Sequence, residues 1–183
     1  VFLINELSPK TSDKLVSFGE LFSSFIIAQA LKNNDLDAEL KNTQELIVTN
    51  ENFTNAIVKF DKTNAAIQSF FNNNNHKIIV LPGFVATTEN GETSTLGRGG
   101  SAYSAEIIAS AVGASILEIW TDVNGMYTAN PKIVKEAFPT PNISYQEAME
   151  LSHFGAKVVY PPTIQPVLKK EIPVCIKNTF DAK

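Results

Sequence analysis

TSTLGRGGSAYSAEIIASAVGAS, residues 93–115, sets Gly97, Gly99 and Gly100 around a single arginine, Arg98, directly before an apolar-periodic run. Glycine costs backbone entropy unless the chain needs a left-handed conformation or a close approach. A packed core gains nothing from three of them here. Ala105, Ile108, Ala109 and Val112 recur at helical spacing behind the cluster, and Gly113 is a C-terminal stop. The stretch predicts a glycine loop running into a helix. N–H groups at such a helix start, aided by the helix dipole, favour an anion. Arg98 adds a fork of donors suited to a carboxylate or phosphate. A tight loop carrying an exposed arginine is the other reading of the same spacing.

Outward from this stretch, helix-like and strand-like segments alternate. Leu15, Phe18, Phe22, Phe25 and Ile26 recur at helical spacing and predict one or two helices over about 11–32. Residues 38–48 have room for a short strand, and 59–71 read as a helix closed by the polar run NNNNH at 72–76. KIIVL (77–81) and ILEIW (116–120) read as buried strands, and ATTENGETST (86–95) as a polar loop. Asn124-Gly125 and Asn130-Pro131 mark turns. Ser144-Tyr145-Gln146-Glu147 is a capping box opening a helix that ends near Gly155. Pro161-Pro162 break the chain, a short helix runs to about Lys170, and PVCIK (173–177) is a last strand, with Cys175 in the core. No repeat or linker is visible, so a single α/β domain with a mostly parallel sheet is expected.

The 183 residues suffice for a sizeable core. A net charge of −4 without a basic stripe argues against nucleic acid. The sole cysteine rules out an internal disulfide and fits a reducing, cytoplasmic setting. No secretory signal is legible, nor an apolar run long enough to cross a bilayer, so no membrane partner is expected. His76 and His153 are too far apart in sequence for metal-ligand spacing.

One rival reading concerns the same glycines. Gly97 to Ala102 fits the dinucleotide fingerprint G-x-G-x-x-A, with Glu118 placed downstream for a ribose contact. That motif needs a buried strand leading into its first glycine, whereas ETSTL reads as polar loop. No Gly-Lys-Ser/Thr follows, so it is not a Walker loop either.

Several blocks together resemble the aspartokinases. These are Thr95 to Ser101, Trp120-Thr121-Asp122-Val123-Asn124-Gly125-Met126-Tyr127-Thr128, and Phe154-Gly155-Ala156-Lys157-Val158, with Ser17-Phe18-Gly19-Glu20 and Pro82-Gly83-Phe84 upstream. Their order and spacing match across essentially the whole chain. ELSPKTSD, SYQEAMEL and IPVCIKNTF are most similar to aspartokinases fused to homoserine dehydrogenase. The resemblance implies a three-layer α/β/α sandwich with a mostly parallel central sheet, of the amino-acid kinase type. It implies ATP- and Mg²⁺-dependent phosphorylation of L-aspartate to 4-phospho-L-aspartate, on the route to lysine, threonine and methionine, and a homo-oligomeric parent.

The resemblance also carries residue roles. Glu20 would hold the aspartate amino group and Phe84 would line the same pocket. Arg98 would pair with a substrate carboxylate, with the Gly99, Gly100 and Ser101 backbone closing around it. Thr121, Asp122, Tyr127, Lys132 and Lys157 would contact the nucleotide. Taken singly, Glu20 reads as a solvated helix residue, Asp122 as a turn cap, Phe84 and Tyr127 as core aromatics, and the lysines as surface residues.

The chain departs from the resemblance in places. The family carries a lysine on a glycine-rich first strand, and no Lys-x-Gly-Gly occurs here, so an N-terminal segment and the C-terminal regulatory domains are expected to lie outside this chain. Ala102 stands where the family commonly has aspartate, Lys132 where it has arginine, and Asn130 where it often has aspartate. Loss of one charge-stabilising group is worth about 3–4 kcal/mol in such reactions. Two expectations follow: part of an aspartokinase catalytic domain with little activity by itself, or a kinase-like module that binds but does not phosphorylate. An unfilled sheet position would favour self-pairing or lower stability.

Overall fold

The computed structural model describes residues 7–129, 133–153 and 164–181. The chain divides into two compact units, Val1–Val112 and Gly113–Lys183. The boundary falls at a helix end, so no linker composition marks it.

In the first unit, α1 spans Pro9–Asn33 as one helix. Pro9 suits its first turn, Ser8 caps it by accepting from Thr11 N–H, and Asp35 leaves it in the left-handed region at φ 58°. Next come β1 (Ala38–Leu40), a 3₁₀ turn (Thr43–Glu45) and β2 (Val48–Thr49). Then follow α2 (Phe60–Asn72), β3 (Ile78–Val80), β4 (Val85–Thr88), β5 (Thr93–Thr95) and α3 (Gly100–Val112). β1 pairs with β3 and β2 with β4, both parallel, while β4 and β5 form an antiparallel hairpin. Leu46, Ile47, Val58, Ile67, Ala86, Leu96 and Ile107 form the core, with Phe70, Phe71 and Tyr103 packed on it.

The second unit holds β6 (Leu117–Thr121), α4 (Tyr145–His153), α5 (Gln165–Leu168) and β7 (Val174–Asn178), with β6 and β7 parallel from Leu117↔Val174 to Thr121↔Asn178. The capping box forms as expected: Ser144 N–H donates to Glu147 Oε2 at 2.8 Å and Glu147 N–H to Ser144 Oγ at 3.2 Å. The chain is thus α/β, and among the described residues three of the four strand pairings are parallel. The helix end near Gly155 and the turns at Asn130-Pro131 and Pro161-Pro162 lie outside the described residues.

Four expectations change. ATTENGETST is not a loop but the β4–β5 hairpin, turning at Asn90-Gly91 with Gly91 at φ 78°. Its β-branched threonines suit strands, and Thr88, Ser94 and Thr95 are buried because hydroxyl partners await them, as in Thr49 Oγ1 to Ser94 Oγ at 2.7 Å. Second, the strands at KIIVL and ILEIW are only half-buried: among the described residues β3 and β6 each have a single paired neighbour, and Trp120 is exposed. Third, Cys175 is half-buried rather than in the core. Fourth, α1 is long and apolar enough to cross a bilayer by length and composition, with a mean hydropathy of 1.3. Its polar residues Asp13, Ser17 and Ser24 share one stripe, which interrupts the apolar text without lowering that mean much.

Candidate functional site

The hairpin brings two segments to the N-terminus of α3. β5 ends at Thr95 and runs through Leu96 into the glycine loop, while Gly83-Phe84 leads into β4 beside it. Phe84 is the centre of a three-residue turn in which Val85 N–H donates to Gly83 O at 2.7 Å, and Phe84 has φ 70°. A bulky residue at positive φ is strained, and the surroundings hold it there. Phe84 N–H donates to Ser104 Oγ at 2.9 Å, the Ser104 hydroxyl donates to Gly100 O at 2.9 Å, and Leu96 N–H donates to Phe84 O at 3.0 Å.

The glycines follow from these approaches. A Cβ on Gly100 would sit 2.7 Å from the Phe84 ring, and one on Gly83 would sit 2.9 Å from Ser101 Cα. Gly97, at φ 71°, faces Asn55 Oδ1 and Thr54 O at 2.7 and 3.0 Å from its virtual Cβ. Two of the cluster's three glycines are therefore explained by the protein's own backbone and side chains, which the sequence alone assigned to an approaching ligand. Gly97 and Gly99, at φ 71° and 73°, flank Arg98 in the left-handed region that favours glycine. Arg98 is exposed, and among the described residues no carboxylate pairs with it. By helix geometry the Ser101 and Ala102 N–H groups of α3 have no intrahelical acceptor, whereas Tyr103 N–H donates to Gly99 O at 3.0 Å. A cation fork beside a helix start, on a loop fixed at both ends, suits a carboxylate.

The loop's other anchor is Asp13, a residue the sequence reading passed over. It is 1% exposed, and its carboxylate accepts from Thr54 N–H at 2.8 Å, Thr95 N–H at 3.0 Å and Thr95 Oγ1 at 2.8 Å. It ties α1 to β5 and to the segment that presses on Gly97. A lone aspartate in an apolar-periodic helix was the available signal. Glu20 lies on the same stripe of α1 as Asp13, Ser17 and Ser24 and is half-buried, not on the solvent face. It stands about 10 Å along the helix axis from Asp13. Ser101 is exposed and Ala102 half-buried. Glu106, 2% exposed and one turn beyond Ala102, was also passed over. Burial pushes the Tyr103 phenol up, and Glu106 adds to the effect.

The second unit places Thr121, Asp122 and Tyr127 at the carboxyl end of its parallel strand pair, the usual position for ligand sites in such sheets. Thr121 Oγ1 donates to Asp122 Oδ1 at 3.1 Å, and Asp122 is exposed. The loop folds back on itself through Thr140 N–H to Met126 O at 2.7 Å and Thr128 N–H to Phe138 O at 3.0 Å, with Tyr127 half-buried between them. Lys132 and Lys157 lie outside the described residues. The dinucleotide reading loses its support. The lead-in to Gly97 is a strand after all, but an antiparallel one. Glu118, its ribose candidate, is engaged by Lys177 Nζ at 2.5 Å and Trp120 Nε1 at 3.1 Å.

Comparison with known proteins decides the lineage. The sequence profile of the amino acid kinase family matches residues 4–178. The chain belongs to the amino acid kinase family. Within that family it is 37% identical over 184 residues to the bifunctional aspartokinase/homoserine dehydrogenase of Buchnera aphidicola, covering 100% of this chain and 22% of that protein. It is 37% identical over 179 residues to the lysine-sensitive aspartokinase 3 of Escherichia coli, covering 96% and 39%. The crystal structure of E. coli aspartokinase III with aspartate and ADP superposes with a TM-score of 0.90 at 36% identity, over 97% of this chain and 40% of that one. UMP kinase of Bacillus anthracis, at 14% identity and TM-score 0.64, shares the fold alone. The chain spans between about a fifth and two fifths of its aspartokinase relatives' length.

Proposed function

We propose that this chain is part of the catalytic domain of an aspartate kinase, which transfers a phosphoryl group from ATP to the side-chain carboxylate of L-aspartate. The observation that carries the reading is Arg98, held without a carboxylate partner among the described residues beside the α3 N-terminus by two anchored segments. Its likeness to an aspartokinase solved with aspartate and ADP supplies the substrate class. Arg98 and the Gly99–Ser101 backbone take a carboxylate of aspartate, Glu20 takes its ammonium group, and the Phe84 ring walls the pocket. Thr121, Asp122 and Tyr127, with Lys132 and Lys157, serve the nucleotide. Phosphoryl transfer needs chiefly positioning and charge stabilisation, so rigid anchoring of Arg98 is its structural requirement. Mg²⁺ would arrive on the ATP phosphates and neutralise their charge. It is typically held by one or two carboxylates plus phosphates, which fits the exposed Asp122 and needs no preformed cluster. Among the described residues no group of three metal-ligating side chains occurs.

Ala102 favours a second reading, a domain that binds aspartate and nucleotide without turnover. The test is calorimetry of aspartate and Mg-ATP binding, with coupled turnover in the full-length parent. Arg98→Ala should abolish aspartate binding and spare ATP. Parent turnover that Ala102→Asp raises supports the kinase. Binding without turnover in either form supports the silent module, and an Arg98→Ala variant that still binds aspartate sinks both.

A further inference from the structure

We propose that Glu106 is a positioning residue of the proposed aspartate site, supplying from the second turn of α3 the carboxylate that its first turn lacks at Ala102. The inference rests on the aspartate kinase reading above. Ala102 and Glu106 stand four residues apart in one helix, so they share a face, about 6 Å apart along the axis. Helical side chains lean toward the N-terminus and cover the preceding turn. The Glu106 side chain therefore extends over Ala102 toward the Arg98 loop, and the Ala102 methyl leaves it room. The electrostatics agree: burial first, and then the Glu106 charge, raise the Tyr103 phenol, which belongs to that same preceding turn.

The burial of Glu106 is the unusual feature. It is 2% exposed, and apart from the Tyr103 phenol it is the only ionisable side chain in α3. Burying a carboxylate is costly unless a cation or donors meet it. Ser101 and Val112 are exposed positions on the same helix, and neither carries a charge. Ile107, with Tyr103, Ile108 and Ala111, joins α3 to the hydrophobic core, and Glu106 is not a member of that cluster. Among the described residues the buried carboxylates are Asp13 and Glu106, and Asp13 is engaged by the three donors that anchor the loop. Phosphoryl transfer to a carboxylate brings two anions together, so cations must be held in place around them. Arg98 serves substrate binding. A buried carboxylate behind it keeps a second cation, a lysine ammonium or magnesium, charged and at a fixed place. Glu106 acts through that cation and not on the substrate directly.

Steady-state kinetics of the full-length parent as wild type, Glu106→Gln, Ala102→Asp and the double variant test this. Glu106→Gln should lower kcat at least about a hundredfold, with circular dichroism unchanged and aspartate still bound in calorimetry. Adding Ala102→Asp should restore kcat to within about tenfold of wild type, a rescue that a merely structural glutamate does not allow. A raised magnesium requirement in Glu106→Gln assigns the cation as the metal, and an unchanged one assigns it as an ammonium group. Independently of turnover, the Tyr103 phenol should titrate lower in Glu106→Gln, read by NMR, and a phenol that does not move overturns the placement. Retention of kcat in Glu106→Gln overturns the proposal and spares the kinase reading. So does a loss that Ala102→Asp leaves unrepaired, or a gain of more than about tenfold from Ala102→Asp in the wild-type background. Absence of turnover in all four forms sinks the kinase reading together with the proposal.

Discussion

The glycine loop in the first unit and the loop after β6 in the second hold the proposed aspartate and nucleotide residues respectively, and they are built differently. Around Arg98 the polar supports are buried, namely the Asp13 carboxylate and the Thr95 and Ser104 hydroxyls, and the half-buried Phe84 turn presses on Gly100. Around Asp122 the contacts lie at the surface. Thr121 donates to Asp122, Asn124 bonds Asp181 and Asn178, and Lys177 sits over an exposed Trp120 ring. Hydrogen bonds shielded from water hold geometry, whereas exposed ones exchange with solvent at little cost. The first loop is preorganised by the fold; the second is held by contacts that water can replace.

Substitutions test that contrast. The largest effect belongs to Asp13→Ala, which takes the acceptor from the Thr54 N–H and leaves the buried Thr95 N–H and hydroxyl without theirs. It should cost about 3–5 kcal/mol of stability and abolish aspartate binding. Urea unfolding showing a loss below about 1 kcal/mol would break the comparison. Gly100→Ala drives a methyl into the Phe84 ring and should cost about 1–3 kcal/mol, with Ser104→Ala at about 1–2 kcal/mol. Asp122→Ala should change stability by less than about 0.5 kcal/mol while weakening ATP about tenfold, read by calorimetry. A large stability loss there would make the two loops alike.

The smallest effects are pH-dependent and run in opposite directions. Hydrogen bonds from Ser144 hold the Glu147 carboxyl below its ordinary value. The unfolded chain then binds the proton more readily, so the cap's contribution is present above about pH 4.5 and is lost as pH falls through the lowered value. Glu147→Gln should flatten that acid limb of α4 in hydrogen exchange. Burial raises Tyr103, so its contribution is complete below about pH 10 and disappears as pH rises through the raised value. Tyr103→Phe should remove this alkaline loss, and a phenolate absorbance titrating at the ordinary value would contradict it.

The contrast also explains what the sequence made legible. The loop-to-helix transition at residues 97–113, the helical character of α1 (though not that it is one helix rather than two) and the Ser144–Glu147 cap were readable because glycine, periodicity and capping chemistry act locally. The β4–β5 hairpin was not, because Ser94 and Thr95 are buried for hydrogen-bond partners far away in sequence, and hydropathy reads them as loop. Asp13 was missed for the same reason: its partners lie 41 and 82 residues downstream. The outward stripe of α1 read as ordinary amphipathicity, because spacing reveals an apolar face without revealing that the fold leaves it exposed. Of the nucleotide candidates, Thr121, Asp122 and Tyr127 fell on one loop, while the placement of Lys132 and Lys157 rests on resemblance alone.

Phe84 has a consequence for how this position tolerates change over generations. An aromatic side chain at positive φ carries a standing cost of about 1–3 kcal/mol that glycine would avoid. Two selections applied to one library at residue 84 should therefore part company. Survival of heat would enrich Gly and Asn, whereas retention of aspartate binding would keep Phe or a similar ring. Heat survivors that also bind aspartate would mean the ring is inherited ballast; divergence of the two pools would measure, residue by residue, how much robustness the lineage has set aside to keep that wall of the pocket.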